Sequence, residues 1–265
     1  MYTKFQLAAR FFRYYITAAN GRGHGIHSPF VFKFITEVLN DNRSFYPYHP
    51  IEAIRQEMLT SAAVIEVVDF GAGSYGLKGK QRKVKDIAFS SLKSPKYARL
   101  LFRIANYFQP ENILELGTSL GITTAYLASA KNSAKVYTLE GAADIAEIAK
   151  NNFRKLGLNN IIQITGNFDD TLTGVLEQMK SADLVFIDGN HRREPTLRYA
   201  DQLRSYLHAG SIVILDDIHW SKEMEEAWDI VRKDPSVTCS IDLFFIGILF
   251  YNPDFKTKQH FVIRY

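Results

Sequence analysis

The sequence has little cysteine and no long apolar run, and both shortages narrow the range of protein classes. Cys239 is the only cysteine among the 265 residues, so the chain cannot form a disulfide within itself and does not require an oxidising compartment. No apolar stretch approaches the ~20 residues that a transmembrane helix needs. Lys4, Arg10 and Arg13 interrupt the apolar residues near the start, which argues against a signal peptide. We therefore expect a cytoplasmic protein without a transmembrane segment.

Charge is distributed unevenly along the chain. Residues 1–110 carry 16 Lys and Arg against 7 Asp and Glu, whereas the remainder carries 16 against 21. A basic first part is suited to an acidic substrate, nucleic acid or a membrane surface. A solvated basic helical face explains the same composition, and we favour it because the basic residues are not interleaved with a nucleic-acid motif. Nucleic acid is therefore not the partner we expect.

From about residue 112 the sequence alternates between strand-like and helix-like segments. The strand-like segments are apolar runs, namely ENILELG, AKVYTLEG, NIIQITG, ADLVFIDGN and SIVILDD. The segments between them have apolar residues at helical spacing, as in AADIAEIAKNNFRKLGL. This alternation predicts a parallel sheet with helices on both faces. The last segments, VTCSIDLFFIGILFYN and KQHFVIRY, are joined by a linker too short for a crossover helix, so we predict that they pair antiparallel.

Residues 1–110 lack this alternation and are typical of helices separated by loops. We therefore predict a mainly helical N-terminal cap over residues 1–110 that contributes to the substrate region. The α/β core is predicted over residues 111–265.

Two segments of the chain combine a strand-like run with a glycine turn, at residues 67–74 and at residues 113–121. The first is followed by a polar, basic stretch that does not suit a packed helix, so we interpret it as a turn or a lid. The second is followed by an apolar helix and by a strand that ends at Glu140, 23 residues after Gly117. A carboxylate at that distance can accept hydrogen bonds from both hydroxyls of a ribose. We predict that the second turn binds a cofactor.

The second turn also discriminates between cofactors. A dinucleotide fingerprint beginning at Gly117 requires glycine at positions 119 and 122, where the sequence has Ser119 and Ile122. The side chains at these two positions therefore do not allow the backbone of the turn to approach a pyrophosphate closely. This favours a nucleoside cofactor without phosphates, such as S-adenosylmethionine, over NAD.

Taken together, these segments resemble the class I S-adenosylmethionine-dependent methyltransferases, and among them the catechol O-methyltransferase type. The resemblance spans about residues 94–265 and depends on the motifs ELGTSLGITTAYLA, VYTLEG, DLVFIDGNH and SIVILDDIHW. It implies a Rossmann-like α/β fold with a mostly parallel seven-stranded sheet and a C-terminal antiparallel hairpin. It also implies methyl transfer to an oxygen of a small or medium-sized molecule.

The resemblance assigns a set of residues to S-adenosylmethionine. They are Glu115, Gly117, Ser119, Thr123, Glu140, Asn167, Phe168 and Asp188. The first three fall at the methionine end of the cofactor, and Thr123 falls at its carboxylate, where the start of a helix suits negative charge. Glu140 falls on the ribose, and Asn167 and Phe168 fall on the adenine.

Three aspartates match the divalent-metal ligands of the family, and they are Asp188, Asp216 and Asp217. The implied metal is Mg²⁺, which prefers oxygen ligands. The catechol enzymes have a catalytic lysine three residues after the first metal aspartate, and this sequence has His191 there. An imidazole with an ordinary pKa of about 6.5 suits a general base. In the alternative interpretation Asp188 and Asp217 only hydrogen-bond the substrate or the local backbone, and His191 acts alone as the base. His191 and Asp188 are the candidate catalytic residues.

Two other functions stay open at this point. One is an NAD-dependent oxidoreductase, against which the missing glycines and the antiparallel end of the sheet count. The other is a catalytically inactive methyltransferase-like binding module, against which Glu140 and the three aspartates count. The expected partner is a small-molecule substrate, and the sequence gives no indication of oligomeric state.

Overall fold

The computed structural model describes residues 1–67 and 81–265. Its helices are α1 (Lys4–Thr17), α2 (Pro29–Phe34), α3 (Tyr48–Thr60), α4 (Val84–Ser91), α5 (Pro95–Phe108), α6 (Ile122–Ala130), α7 (Ala143–Lys155), α8 (Phe168–Met179), α9 (Arg193–Leu203) and α10 (Lys222–Arg232). Its strands are β1 (Val64–Glu66), β2 (Gln81–Lys83), β3 (Asn112–Leu116), β4 (Lys135–Glu140), β5 (Ile161–Thr165), β6 (Leu184–Ile187), β7 (Ile212–Asp216), β8 (Cys239–Asp242), β9 (Ile246–Phe250) and β10 (Gln259–Val262). A π-helical turn (Ile35–Leu39) follows α2, and a 3₁₀ turn (Arg204–Tyr206) follows α9.

The chain divides into two compact units. The first combines residues 1–41 with residues 180–265, and the second consists of residues 42–179. None of the helices within the two described ranges is long and apolar enough to cross a lipid bilayer.

The main sheet contains eight strands, and most of its strand pairs are parallel. In the first unit the strand order is β10-β8-β9-β7-β6, and in the second it is β3-β4-β5. Buried strands of this kind read as continuous apolar runs, because both of their faces are covered. The predicted α/β fold is therefore confirmed, whereas the predicted number of seven strands is wrong.

The eighth strand arises inside the apolar stretch at residues 237–252, which the sequence analysis treated as one strand. Phe244 has a left-handed backbone with φ of 71°, and its N–H donates to Oδ1 of Asp242 at 2.8 Å. The N–H of Leu243 donates to the carbonyl of Ile246 at 2.9 Å, which closes a hairpin turn. This turn divides the stretch into β8 and β9, which pair antiparallel. The C-terminal antiparallel hairpin is thus present within this stretch.

The last strand pairs differently from our prediction. We predicted that the final segment pairs antiparallel with the apolar stretch before it, but β10 pairs parallel with β8. The physical reason is the hairpin turn: β8 and β9 already bond to each other, and β9 bonds on its other edge to β7. The outer edge of β8 is therefore the edge that takes β10.

In the second unit, β3, β4 and β5 are consecutive parallel neighbours. Every residue of α6 is buried, which explains why ITTAYLASA has no polar face. The helix α5 begins with Pro95 in its first turn, where the missing N–H costs nothing, and ends at Gln109 with φ of 53°.

The first unit joins the beginning and the end of the described chain. The helix α1 begins with a capping box formed by Thr3 and Gln6. On its inner face the hydroxyl of Tyr14 donates to the carbonyl of Ile263, and the Tyr14 ring packs against Phe244 with centroids 5.2 Å apart. The regular elements of residues 1–110, in their described part, are helices apart from the short antiparallel pair β1–β2. Their assignment to a substrate-binding cap stays a prediction.

Candidate functional site

The turn between β3 and α6 has an unusual backbone conformation. Gly117, Ser119 and Gly121 have φ values of 108°, 47° and 80°, in the region that favours glycine. The N–H groups of Gly117 and Thr118 both donate to the carbonyl of Leu139, at 3.0 and 3.1 Å. The turn is therefore fixed against the neighbouring strand β4.

The helix α7 holds the same turn from another direction. A Cβ on Gly121 would lie 2.5 Å from a ring carbon of Phe153, so only glycine permits this close approach. The buried side chain of Asn152 donates to the carbonyl of Leu120 at 2.9 Å. Neither α7 residue was identified from the sequence, and no local pattern distinguishes them from other helix residues.

Glu140 lies at the end of β4 and is oriented by two backbone groups. Its Oε2 accepts a hydrogen bond from the N–H of Ser119 at 2.8 Å, and its Oε1 accepts one from the N–H of Ala142 at 3.0 Å. An ionised carboxylate has about four acceptor positions, so these bonds leave capacity for further donors. The side chain is half-buried. Its geometry therefore fits recognition of two hydroxyl groups.

Glu115 lies behind the turn and is fully buried. Its Oε2 accepts hydrogen bonds from the hydroxyls of Thr124 and Thr138, and Thr138 is also 2.6 Å from the hydroxyl of Thr118. Its Oε1 has no hydrogen-bond partner among the described residues. Burial raises the pKa of Glu115 to about 7, although the two threonine hydrogen bonds oppose this shift. The predicted contact of Glu115 with a cofactor stays a prediction.

The other predicted cofactor residues of the second unit lie at helix starts. Asn167 precedes α8, and its Oδ1 accepts a hydrogen bond from the N–H of Asp169 at 3.2 Å. Phe168 is 9% exposed in the first turn of α8, and Thr123 is 8% exposed in the first turn of α6. Asn167 therefore has a structural role at the start of α8 as well as its predicted role at the adenine.

A second group of functional side chains lies in the first unit, at the ends of β6 and β7. The two strands are parallel neighbours, and Ile187 lies opposite Leu215. Asp188 and Asp216 are the next residues along the chain, so they come side by side at the same edge of the sheet. One ligand atom from each of Asp188, His191 and Asp216 lies within 4.8 Å of the other two. Asp216 is fully buried, and the Asp188 and His191 side chains are 17% and 28% exposed. Together they form a compact set of metal-ligating groups.

Asp217 is placed differently from the other two aspartates. It has a left-handed backbone with φ of 53°, and its carbonyl accepts a hydrogen bond from the N–H of Trp220 at 2.9 Å. It does not belong to the group that meets within 4.8 Å in the described part of the chain. Its predicted role as a metal ligand stays a prediction.

Residues 114–218 match the family model described as a methyltransferase domain. This segment of the chain is therefore similar to a methyltransferase domain. The matched range includes the turn at residues 117–121, Glu140, and the group formed by Asp188, His191 and Asp216. The family resemblance that the motifs predicted is therefore confirmed.

Relatives of the methyltransferase domain are known from several organisms. A catechol O-methyltransferase of Niastella koreensis is 30% identical over 128 residues, which cover 47% of this chain and 57% of that protein. A putative O-methyltransferase of Mycobacterium sp. (strain JLS) is 25% identical over 169 residues, which cover 63% of this chain and 67% of that protein. The match with the catechol O-methyltransferase thus spans little more than half the length of that relative.

Solved structures resemble this chain over more of its length. The SAH-bound methyltransferase PaMTH1 of Podospora anserina has a TM-score of 0.59 at 14% identity. The superposed region covers 85% of this chain and 97% of the PaMTH1 chain. An O-methyltransferase of Bacillus cereus in complex with SAH has a TM-score of 0.56 at 17% identity, covering 83% and 96%. At these identities the likeness shows the fold, and it confirms a Rossmann-like methyltransferase fold.

The sequence patterns did not identify the hydroxyl groups that donate hydrogen bonds to the buried carboxylate of Glu115. A usable signal exists for Thr138, because alternate residues of a strand share a face and Thr138 is two residues before Glu140. The other glycine turn, at residues 67–74, lies outside the described residues except for Val67.

Proposed function

We propose that this protein is an S-adenosylmethionine-dependent O-methyltransferase that acts on a small or medium-sized molecule. The observation that carries the proposal is the position of Glu140 in a methyltransferase domain. Its two carboxylate oxygens are held by the N–H groups of Ser119 and Ala142, which orients it for a ribose diol. The names of the relatives, O-methyltransferases and catechol O-methyltransferases, support an oxygen acceptor.

The residues around the turn at 117–121 fit this cofactor better than a dinucleotide. Positive φ at Gly117 and Gly121 provides a tight turn, while Ser119 and Ile122 occupy positions where a pyrophosphate cradle needs glycine. When bound, S-adenosylmethionine supplies an electrophilic methyl group on a sulfonium. Methyl transfer is an in-line displacement, so the main task of the protein is positioning of the acceptor.

We assign the cofactor contacts as the family resemblance implies. Glu140 binds the ribose, Asn167 and Phe168 bind the adenine, and Thr123 binds the carboxylate at the start of α6. The remaining cofactor residues in this assignment are Glu115, Gly117, Ser119 and Asp188.

The aspartates of the first unit are proposed to prepare the acceptor. The carboxylates of Asp188 and Asp216 supply oxygen donors that suit a hard divalent cation such as Mg²⁺, and Asp217 is the third donor that the family resemblance implies. A bound divalent cation lowers the pKa of a hydroxyl that it coordinates. Without a metal, Asp188 hydrogen-bonds the acceptor and His191 accepts its proton.

Residues 1–110 are proposed to select the acceptor. The uneven charge distribution and the absence of β/α alternation in these residues motivate this assignment. A cytoplasmic location belongs to the same proposal and is supported by the single cysteine.

The cofactor assignment is tested by thermal unfolding in the presence of S-adenosylmethionine, its demethylated product or NAD. A ligand at 100 times its dissociation constant stabilises the folded state by about 2.7 kcal/mol, which for a chain of this size raises Tm by about 5–10 °C. Replacement of Glu140 by alanine removes charge-assisted hydrogen bonds worth about 1.5–3 kcal/mol each, so most of the shift should disappear. Glu140→Gln keeps one acceptor oxygen and should retain part of it.

The matched control is Glu147→Ala, because Glu147 is an exposed glutamate of α7 in the same unit. This variant should keep the full shift. Stabilisation by NAD and not by S-adenosylmethionine would show that the proposal is wrong and would favour an oxidoreductase.

A further inference from the structure

We propose that His191 is a metal ligand, and that it binds a divalent cation together with Asp188 and Asp216. This inference rests on the proposed function, because it concerns the metal that the proposal assigns to these aspartates. It changes the ligand set, since an imidazole nitrogen takes the place that the family resemblance gives to Asp217.

The first argument is the convergence of the three side chains. Asp188 and Asp216 come from the ends of adjacent parallel strands, and His191 comes from the loop between β6 and α9. Their ligand atoms lie within 4.8 Å of one another. The ligand atoms of the three side chains therefore converge in one place.

The second argument is the distance between the imidazole and its nearest carboxylate. Nε2 of His191 is 3.5 Å from Oδ1 of Asp188. The same unit contains a histidine–aspartate pair in ordinary hydrogen-bond contact, because Nε2 of His208 is 2.7 Å from Oδ1 of Asp183. Two atoms that each bind an ion at about 2.1 Å are about 3.4 Å apart at a tetrahedral angle and about 3.0 Å apart at a right angle. The His191–Asp188 separation is close to the spacing of two ligands of one ion.

The donor set decides which ions are preferred. Two carboxylates and one imidazole supply two negative charges and one nitrogen donor. Imidazole suits Zn²⁺, Fe²⁺ and Ni²⁺, whereas Mg²⁺ and Ca²⁺ prefer oxygen alone. Mn²⁺ accepts both kinds of ligand and is a convenient probe. We therefore expect Mn²⁺, Co²⁺ and Zn²⁺ to bind more tightly than Mg²⁺.

The assignment also changes the chemistry available to the side chain. A ring nitrogen that binds an ion has no lone pair left to accept a proton. With an ion bound, His191 would therefore not act as a general base through Nε2. The ion would lower the pKa of a coordinated acceptor hydroxyl, whose proton would pass to water.

The test measures binding of Mn²⁺ to the full chain after metal has been removed with a chelator. Free Mn²⁺ is followed by electron paramagnetic resonance, and ¹⁴N couplings of the bound ion are recorded by electron spin echo envelope modulation. The wild-type protein should bind one Mn²⁺ and show a directly coordinated nitrogen. In His191→Ala the nitrogen coupling should disappear, and the affinity for Mn²⁺ should fall at least about tenfold.

Two further variants make the result specific. His208→Ala removes the histidine of the ordinary His–Asp pair, and it should keep both the affinity and the nitrogen coupling. Asp188→Asn should weaken Mn²⁺ binding and leave its nitrogen coupling detectable at saturating metal. Circular dichroism and thermal unfolding verify that each variant is folded.

The outcomes separate this inference from the proposed function. Bound Mn²⁺ without a nitrogen coupling, or with a coupling that survives in His191→Ala, overturns the assignment of His191. Failure of the wild-type protein to bind Mn²⁺ overturns it as well. In either case S-adenosylmethionine can still stabilise the protein, and the methyltransferase proposal then stands. Absence of S-adenosylmethionine binding with a normal nitrogen-coupled Mn²⁺ site would refute the proposed function and leave the ligand assignment intact.

Discussion

Replacement of Glu115 by glutamine should change how the stability of the protein depends on pH. Burial raises the pKa of Glu115 from 4.5 to about 7, so the folded state holds this proton more tightly than the unfolded chain does. Between these two values the folded state binds more protons, and the free energy of unfolding therefore falls as the pH rises. This loss of stability is absent well below pH 4.5 and complete well above pH 7.

The size of the effect follows from the shift. At 1.36 kcal/mol per pKa unit, the ionised Glu115 costs the folded state about 3 kcal/mol at alkaline pH. Between pH 5 and pH 8, linkage gives a change of about 2–3 kcal/mol in the free energy of unfolding. Glutamine has the same shape and an oxygen for the hydroxyls of Thr124 and Thr138, but it does not ionise.

The assay is urea denaturation of the cofactor-free protein at pH 5, 6, 7 and 8. The stability of Glu115→Gln relative to wild type should rise by about 2–3 kcal/mol from pH 5 to pH 8. Because Oε1 has no hydrogen-bond partner among the described residues, the new amide N–H₂ adds a fixed cost of about 1–3 kcal/mol, which does not alter the slope. The exposed Glu177 in α8 provides the control Glu177→Gln, whose stability should run parallel to wild type. A difference between wild type and Glu115→Gln that stays constant within about 0.5 kcal/mol would refute the burial argument.

Three further predictions concern the turn, the first unit and the metal. Gly121→Ala should destabilise the fold by about 1–3 kcal/mol and abolish the thermal shift with S-adenosylmethionine, because its Cβ meets Phe153 and its φ is positive. Gly174→Ala, in α8 with open space around its Cβ, should instead stabilise by up to about 1 kcal/mol, and equal effects of the two variants would contradict the clash. Tyr14→Phe should lower the free energy of unfolding by about 1 kcal/mol, through loss of the hydrogen bond to Ile263, and an unchanged value would mean that this bond adds no net stability. Once an acceptor is known, a chelator should abolish turnover and a divalent cation should restore it, whereas full activity in excess chelator would eliminate the metal.

The sequence predicted the features that depend on local periodicity. The alternation of apolar runs with helical segments located β3 to β7, and the strand–glycine pattern located the turn at residues 117–121. The role of this turn in binding a cofactor stays a prediction. Both signals are short-range, because a strand and the turn that follows it are specified by adjacent residues. The structure adds what local periodicity cannot contain, such as the support of the turn by Asn152 and Phe153.

The predictions that were wrong concern the number of strands and the pairing of the last strand. Both depend on the backbone conformation of a single residue and on which strands are neighbours in the sheet. A left-handed Phe244 is uncommon for a bulky residue, so composition alone gave no reason to divide residues 237–252 into two strands. The number of strands and the partner of β10 both depend on that turn. The placement of a His191 ligand atom within 4.8 Å of one from Asp216 also depends on pairing, since it requires β6 and β7 to be neighbours in this register.

The discontinuous first unit has a consequence for the order in which the protein folds during its synthesis. Residues 1–41 leave the ribosome before residues 42–179 have been made, and at about 5–20 residues per second this interval lasts on the order of 7–30 s. Throughout that time the inner face of α1 lacks Phe244 and Ile263, the residues that cover Tyr14 in the finished protein. The second unit, in contrast, is continuous in sequence and can fold as soon as it has emerged. The apolar side chains on the inner face of α1 therefore stay uncovered until the last strands have been made.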